Sequence, residues 1–328
     1  MKITERFAEL DENLKLDPTE RKRAQELHQE ISDVLIEAGI AKRCRLQGSF
    51  ARKTMRPPLH DVDKVVELVD ALRTEFGGLN GPAQAMEQIR GVLMHHFPGA
   101  VFEVKKHSLG IELPGYDFDF DAVPAFTVPE STLIEIANTQ AGIGEDAWKT
   151  SNTYDLIDVV SARNIACGGR FVRQVRMVKQ VFHEAGLSES VPGLHVESFT
   201  YWAVTEATDH AAAVAASLYK AAELLGGTYT DPTGVDTISS RIEPWTVQAV
   251  RPQLQSLAAQ AAQALELAAS GDEIAAADIW ARLFGDCFPA PTAEEQQEAQ
   301  QRKLETLYGG GTLAGTSRPA PSTRAWRP

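Results

Sequence analysis

The chain has 328 residues, 43% hydrophobic and 23% charged, which is enough for two domains with cores of their own. Its net charge of −13 argues against a grip on long nucleic acid, which asks for a basic excess, but leaves room for small anions in a local basic pocket. No apolar run approaches the ~20 residues of a membrane span, and the start, MKITERFAELDEN, lacks a signal-peptide core. Cys44, Cys167 and Cys287 are too scattered for a disulfide framework or a zinc site, so a reducing, cytoplasmic setting is expected and no membrane partner.

In chain order, a helix at the very start is expected to pack along both domains. DPTERKRAQELHQEISDVLIEAG then predicts a long helix. Asp17 caps it, Pro18 fits the first turn and Glu20 completes a capping box. Leu27, Ile31, Val34 and Leu35 form its apolar stripe, and Gly39 ends it. A short strand at about 42–46 leads to QGSFARKT, a Gly-Ser turn that opens a helix. After RPPLH, held extended by its prolines, VDKVVELV reads as a strand. NGP at 80–82 is a turn and AQAMEQIRGVLMHHF a helix. VFEVKKHSLGIEL and YDFDFDAVPAF alternate like two antiparallel strands about a Pro114–Gly115 turn.

From about Val159 helical patterns take over. They are ARNIACGGRFVRQVRMVKQVFHEAG, VESFTYWAVTEAT, AAAVAASLYKAAELL, a helix through 246–269, and DEIAAADIWARLFG. The turn-rich segment YTDPTGVDTISSRIEP interrupts them. The last twenty residues are rich in Gly, Pro, Ser and Thr, the composition of disorder. The expected layout is an α/β domain over 1–158, a helical domain over 159–308 and a disordered tail over 309–328.

The chemistry concentrates in the first domain. Asp61 and Asp63 are two apart on a predicted strand, so both carboxylates face one side, ~7 Å apart at the backbone. Such a pair suits Mg2+, with Mn2+ as the alternative, and two ions ~3.5–4 Å apart can activate a hydroxyl and neutralise a leaving phosphate. An exposed DxD is by itself commonly just a solvated strand start. In DFDFDAVPAF, Asp117, Asp119 and Asp121 also share a face, which reads either as a solvated acidic edge or as the source of a third metal carboxylate. Gly48 and Ser49 precede the pair by about a dozen residues, with Arg52, Lys53 and Arg56 between. A Gly-Ser turn at a helix start offers N–H groups and a hydroxyl to phosphate, although a lone GS is more commonly an ordinary cap.

Together, GSF, HDVDKVVEL and FDAVPAF resemble the polymerase-beta-like nucleotidyltransferase superfamily. Within it the VPA ending is similar to the branch holding oligoadenylate synthetase, cyclic GMP-AMP synthase and the bacterial cyclic-oligonucleotide synthases (CD-NTases). The resemblance implies an α+β fold, a mixed sheet with flanking helices followed by a C-terminal α-helical domain. It makes Asp61, Asp63 and Asp121 the metal and catalytic residues, with Asp119 as the competing choice. It makes Gly48 and Ser49 phosphate binders, adds Lys179 and Ser198 to them, and has Phe199 stack the donor base. The helix around Lys179 buries Phe171, Val175, Val178 and Phe182, and Lys179 lies at the edge of that stripe, open to a snorkelling or a cleft-facing reading.

Asp231 and Pro232 resemble the Asp-Pro loop near the nucleotide in the bacterial enzymes, and WARLFGDCFP resembles their terminal segment. The implied substrates are NTPs: ATP, GTP or a pyrimidine NTP. The implied product is a cyclic di- or trinucleotide second messenger, made in antiphage (CBASS) defence with accessory proteins acting on the tail. A non-cyclising nucleotidyltransferase and a catalytically idle nucleotide-binding module are the competing readings. Trp148, Trp202, Trp245 and Trp280 read as core residues, and Arg163, Arg170, Arg173 and Arg176 as either an acceptor wall or a solvated helix face.

Overall fold

The computed structural model describes residues 1–308, with side chains as far as Glu305. Contacts group Met1–Ala290 into one unit and place the chain from Pro291 in a second. Two helices open the chain, α1 (Ile3–Asn13) and α2 (Pro18–Glu37). The Asp17 carboxylate accepts from the N–H groups of Thr19 and Glu20, as a cap should. Glu20 does not close the expected box. Its carboxylate instead accepts from the Leu59 N–H at 3.2 Å, pinning the loop ahead of the acidic strand.

The α/β half continues with β1 (Ala41–Leu46), α3 (Gly48–Arg52), β2 (Asp61–Leu68), α4 (Arg73–Phe76) and α5 (Gly81–His96). Then come β3 (Val101–Val104), β4 (Leu109–Glu112), β5 (Asp119–Thr127), β6 (Ile134–Ala137) and β7 (Trp148–Ser151). The expected two-strand hairpin is thus three strands. VFEVKKHSLGIEL folds back on itself at Lys105–Ser108, closed by the Lys105 N–H on the Ser108 carbonyl at 2.8 Å. The strands β6 and β7 were not expected.

The strand order is β1-β2-β5-β4-β3. The pair β2 and β5 is parallel and the remaining pairs are antiparallel. The far edge of β5 is shared, by β4 along its first half and β6 along its second. On one sheet face Val62, Val66, Phe120, Ala122 and Phe126 pack on Leu27, Ile31 and Leu35 of α2 and on Met86, Ile89 and Leu93 of α5. The opposite face carries Asp61, Asp63 and Asp121.

The helical half contains α6 (Thr153–Ala166), α7 (Phe171–Glu184), α8 (Gly193–Ala203), α9 (His210–Leu224), α10 (Pro244–Ala269) and α11 (Glu273–Phe284). The long helix expected across 162–186 is two, α6 and α7. Gly168 and Gly169 stand at φ +62° and +78° between them, a conformation that ends a helix. The stripe Phe171, Val175, Val178 and Phe182 is fully buried. The first helix, α1, lies in this half's core: Phe7 meets Trp280, Phe284 and Phe288 edge-on at 5.1–5.6 Å.

Trp280 is core as expected, but Trp202 and Trp245 are exposed. Arg163 donates to the Tyr201 and Val204 carbonyls, and Arg173 and Arg176 pair with Asp11. Those arginines therefore tie helices together. In the second unit, α12 (Ala293–Tyr308) starts at a Thr292/Glu295 capping box. The expected disordered tail, 309–328, lies outside the described residues. No helix among the described residues is long and apolar enough to cross a membrane.

Candidate active site

Parallel pairing of β2 with β5 aligns Asp61 with Asp119 and Asp63 with Asp121. Paired residues project to one side, so the register puts these four carboxylates on one face of the sheet. One oxygen each from Asp61, Asp63 and Asp121 lies within 4.8 Å of the others. Asp119, although opposite Asp61 and exposed like it, lies outside this trio. Asp63 is pushed up to about 6, first by burial and then by repulsion from Asp61 and Asp121; Arg52 and Lys105 oppose the rise. Three crowded carboxylates that repel one another are an all-oxygen donor set suited to a hard divalent cation.

Gly48 sits directly over Asp63. Its φ is +67°, and a Cβ there would lie 1.8 Å from Asp63 Oδ2. The Gln47 N–H also binds the Asp63 carbonyl at 2.9 Å. The glycine therefore serves two needs, a left-handed turn and a close approach of the helix start to the acidic strand. Ser49 follows it in the first turn of α3, partly buried. We expect Gly48→Ala to keep the sheet, by circular dichroism, and to lower pyrophosphate release at least ~100-fold, because a displacement of about 1 Å at a reacting centre costs that much.

A cleft of about 580 Å³ opens beside the trio. Gln47, Gly48, Arg52, Asp63 and Ser108 form one side, Lys149, Ser151 and Asn152 another, and Leu194, Asp231 and Arg241 close it from the helical half. Behind Arg52 stands Glu197, only 1% exposed. It accepts from Arg52 at 2.7 Å, Lys179 at 2.7 Å and Thr54 at 2.8 Å. Burial alone would push Glu197 up; Arg52 and Lys179 outweigh it and hold the carboxyl at about 2. Of these groups Arg52 lines the cleft itself, while burial pulls the Lys179 ammonium down from its ordinary range and Glu197 opposes that fall.

The remaining expected binders divide. Lys179 is brought to this cluster, its side chain 12% exposed, and a Cβ on Gly193 would come 3.2 Å from its Nζ. Ser198 and Phe199 are not on the cleft. The Ser198 hydroxyl donates to the Leu194 carbonyl at 2.9 Å, the usual fate of a serine within a helix. Phe199 is fully buried against Tyr229, with ring centres 5.1 Å apart, and has no face to offer a base.

The α8 residue on the cleft is Leu194, one turn earlier, because the face bearing Phe199 goes to the core. Asp231 does line the cleft, but it is buried and its carboxylate accepts from Asn152 and Thr233, fixing its own loop. Glu197 escaped the sequence reading, because a helical period does not say which face of the helix is buried or against what.

Residues 1–164, half of the chain, match the model of the Second Messenger Oligonucleotide or Dinucleotide Synthetase (SMODS) domain. No curated protein matches the sequence. Among solved structures, CdnC of Escherichia coli MS115-1, in a complex with HORMA, superposes with a TM-score of 0.66 at 16% identity, over 87% of this chain and 98% of that one. The CD-NTase CdnG of Bradyrhizobium diazoefficiens, in complex with GTP, gives 0.68 at 15% identity over 86% and 95%. The cyclic AMP-GMP synthase DncV of Vibrio cholerae, holding a linear intermediate, gives 0.58 at 17% identity over 75% and 69%. These likenesses establish the nucleotidyltransferase fold expected from GSF, HDVDKVVEL and FDAVPAF. With its acidic trio set under a Gly-Ser helix start, the chain belongs to the second messenger oligonucleotide or dinucleotide synthetase family and is a nucleotidyltransferase.

Proposed function

We propose that this enzyme joins NTPs into a cyclic di- or trinucleotide, in the cytoplasm and in antiphage defence. The observation that carries the reading is the in-register trio Asp61, Asp63 and Asp121 beneath Gly48, at the wall of a cleft large enough for a nucleotide. CdnG bound to GTP and DncV bound to a linear pppA(3′,5′)pG intermediate support it as fold relatives. ATP and GTP are the first substrates to test. CdnC, seen with a HORMA protein, supports accessory partners; the segment assigned to them here, 309–328, lies outside the described residues.

Asp61, Asp63 and Asp121 would hold two Mg2+, with Mn2+ able to substitute. When bound, the metal supplies a more acidic acceptor hydroxyl and charge neutralisation at phosphorus. The chain's own part is positioning. Gly48 lets the start of α3 approach the phosphates, and Ser49 adds a hydroxyl. Arg52 and Lys179, oriented by Glu197, attract the polyphosphate and draw charge from the leaving group. Asp121 assists removal of the acceptor ribose hydroxyl's proton. That oxygen forms a bond to the α-phosphorus, the α–β bond breaks, and pyrophosphate leaves. Repetition with the growing chain's own end closes the ring.

The test is incubation of the full chain with four labelled NTPs and Mg2+, phosphatase treatment and mass spectrometry. A phosphatase-resistant product with no free phosphate end is expected. Exclusively linear, phosphatase-labile products would refute cyclisation.

A further inference from the structure

Asp121 does not stand bare in this structure. The turn between β3 and β4 returns Lys105 over the sheet, and its Nζ lies 2.9 Å from Asp121 Oδ1. Ser108, at the other end of the turn, donates to the same oxygen at 3.1 Å. The route Lys105 takes is specific. Gly110 is paired with Asp121 across β4 and β5, so any side chain at 110 would emerge beside that carboxylate. A Cβ there would lie 2.9 Å from Lys105 Cε and 3.3 Å from Nζ. The glycine thus leaves a groove that the lysine stem fills. Glu103 and Asp119 also attract the ammonium, while Asp63 and Asp121 repel each other.

We propose that Lys105 is a positioning residue, a built-in counter-ion that holds Asp121 in the trio until metal arrives and must yield that carboxylate as metal binds. The inference rests on the metal-site reading of Asp61, Asp63 and Asp121. An ammonium on Oδ1 neutralises the carboxylate that the cation needs, so lysine and metal compete for it. The lysine also offsets the mutual repulsion of three acids in the metal-free enzyme, which keeps them preorganised.

The test is Mn2+ binding to the nucleotide-free full chain, read as loss of the free-ion signal in electron paramagnetic resonance. Wild type is compared with Lys105→Met, Lys105→Arg and Asp121→Asn. Lys105→Met should bind Mn2+ about two- to fivefold more tightly, the range set by a half-exposed ion pair. Its metal-free melting temperature should fall, and Lys105→Arg should restore wild-type affinity. Unchanged or weaker Mn2+ binding by Lys105→Met, with wild type binding and Asp121→Asn impaired, would overturn the counter-ion alone. If wild type bound no Mn2+, the metal-site reading and this inference would fall together. Gly110→Ala provides a second route: it crowds the lysine while sparing its charge, and it should tighten Mn2+ in the same direction.

Discussion

Asp63→Asn is expected to reduce pyrophosphate release by at least ~1,000-fold while making the metal-free protein more stable near neutral pH. The first effect follows from removing a charged ligand of the proposed metal site, where charge stabilisation would supply much of the rate. The second follows from its environment. The Asp63 carboxyl is buried beside two other acids and titrates near 6 rather than the ordinary 3.8. Between those values the folded protein keeps a proton that the unfolded chain has lost.

In EDTA, the stability Asp63 contributes should therefore be fully present below about pH 4 and fall as pH rises through about 6, then level off. The gap corresponds to ~3 kcal/mol at ~1.4 kcal/mol per pH unit. Urea unfolding of wild type and Asp63→Asn across pH 4–8 measures the difference directly. Parallel curves for the two proteins would show that Asp63 carries no such burden. Saturating Mg2+ should abolish the wild-type protein's disadvantage, because the cation supplies the charge that the acids lack.

Removal of Glu197 is the second large effect. Glu197→Ala leaves two buried cations without a partner: the side chains of Arg52 and Lys179 are 7% and 12% exposed. Breaking a buried pair by deleting one member costs ~3–5 kcal/mol, far more than such a pair contributes over an apolar replacement. The same change frees α3 from α7 and α8, so the apparent KM for NTP should rise together with the loss of stability. Glu197→Gln should be milder, since an amide oxygen still accepts from Thr54 and Arg52. Urea unfolding and initial rates on the three proteins check both effects; a change below ~1 kcal/mol for the alanine variant would mean that α3 is held elsewhere.

The helical half was the less legible of the two. Its helices were readable from period, but the faces they turn to the cleft were not. Phe199 looked like a stacking platform because an aromatic follows a serine. The structure spends that aromatic on the core with Tyr229, and Leu194 faces the cleft instead. A helix period fixes which residues share a face without fixing what that face meets. The missed strands β6 and β7 are four residues each and lie between turns, too short for a visible alternation.

The first half was legible at its chemistry for the opposite reason. GSF and DVD are local, each set by one turn or one strand, and alternation alone puts Asp61 and Asp63 on a common side. What the sequence determined by itself was therefore the acidic strand, the glycine-led helix before it, and the family these indicate.

Only the tertiary structure brought Asp121 within 4.8 Å of Asp61 and Asp63 while leaving Asp119 outside, and joined Arg52 to Glu197 across 145 positions. It likewise laid Lys105 across Gly110. Those choices depend on strand pairing and on the balance of buried charge, which arise between segments far apart in the chain and leave no local pattern within either one.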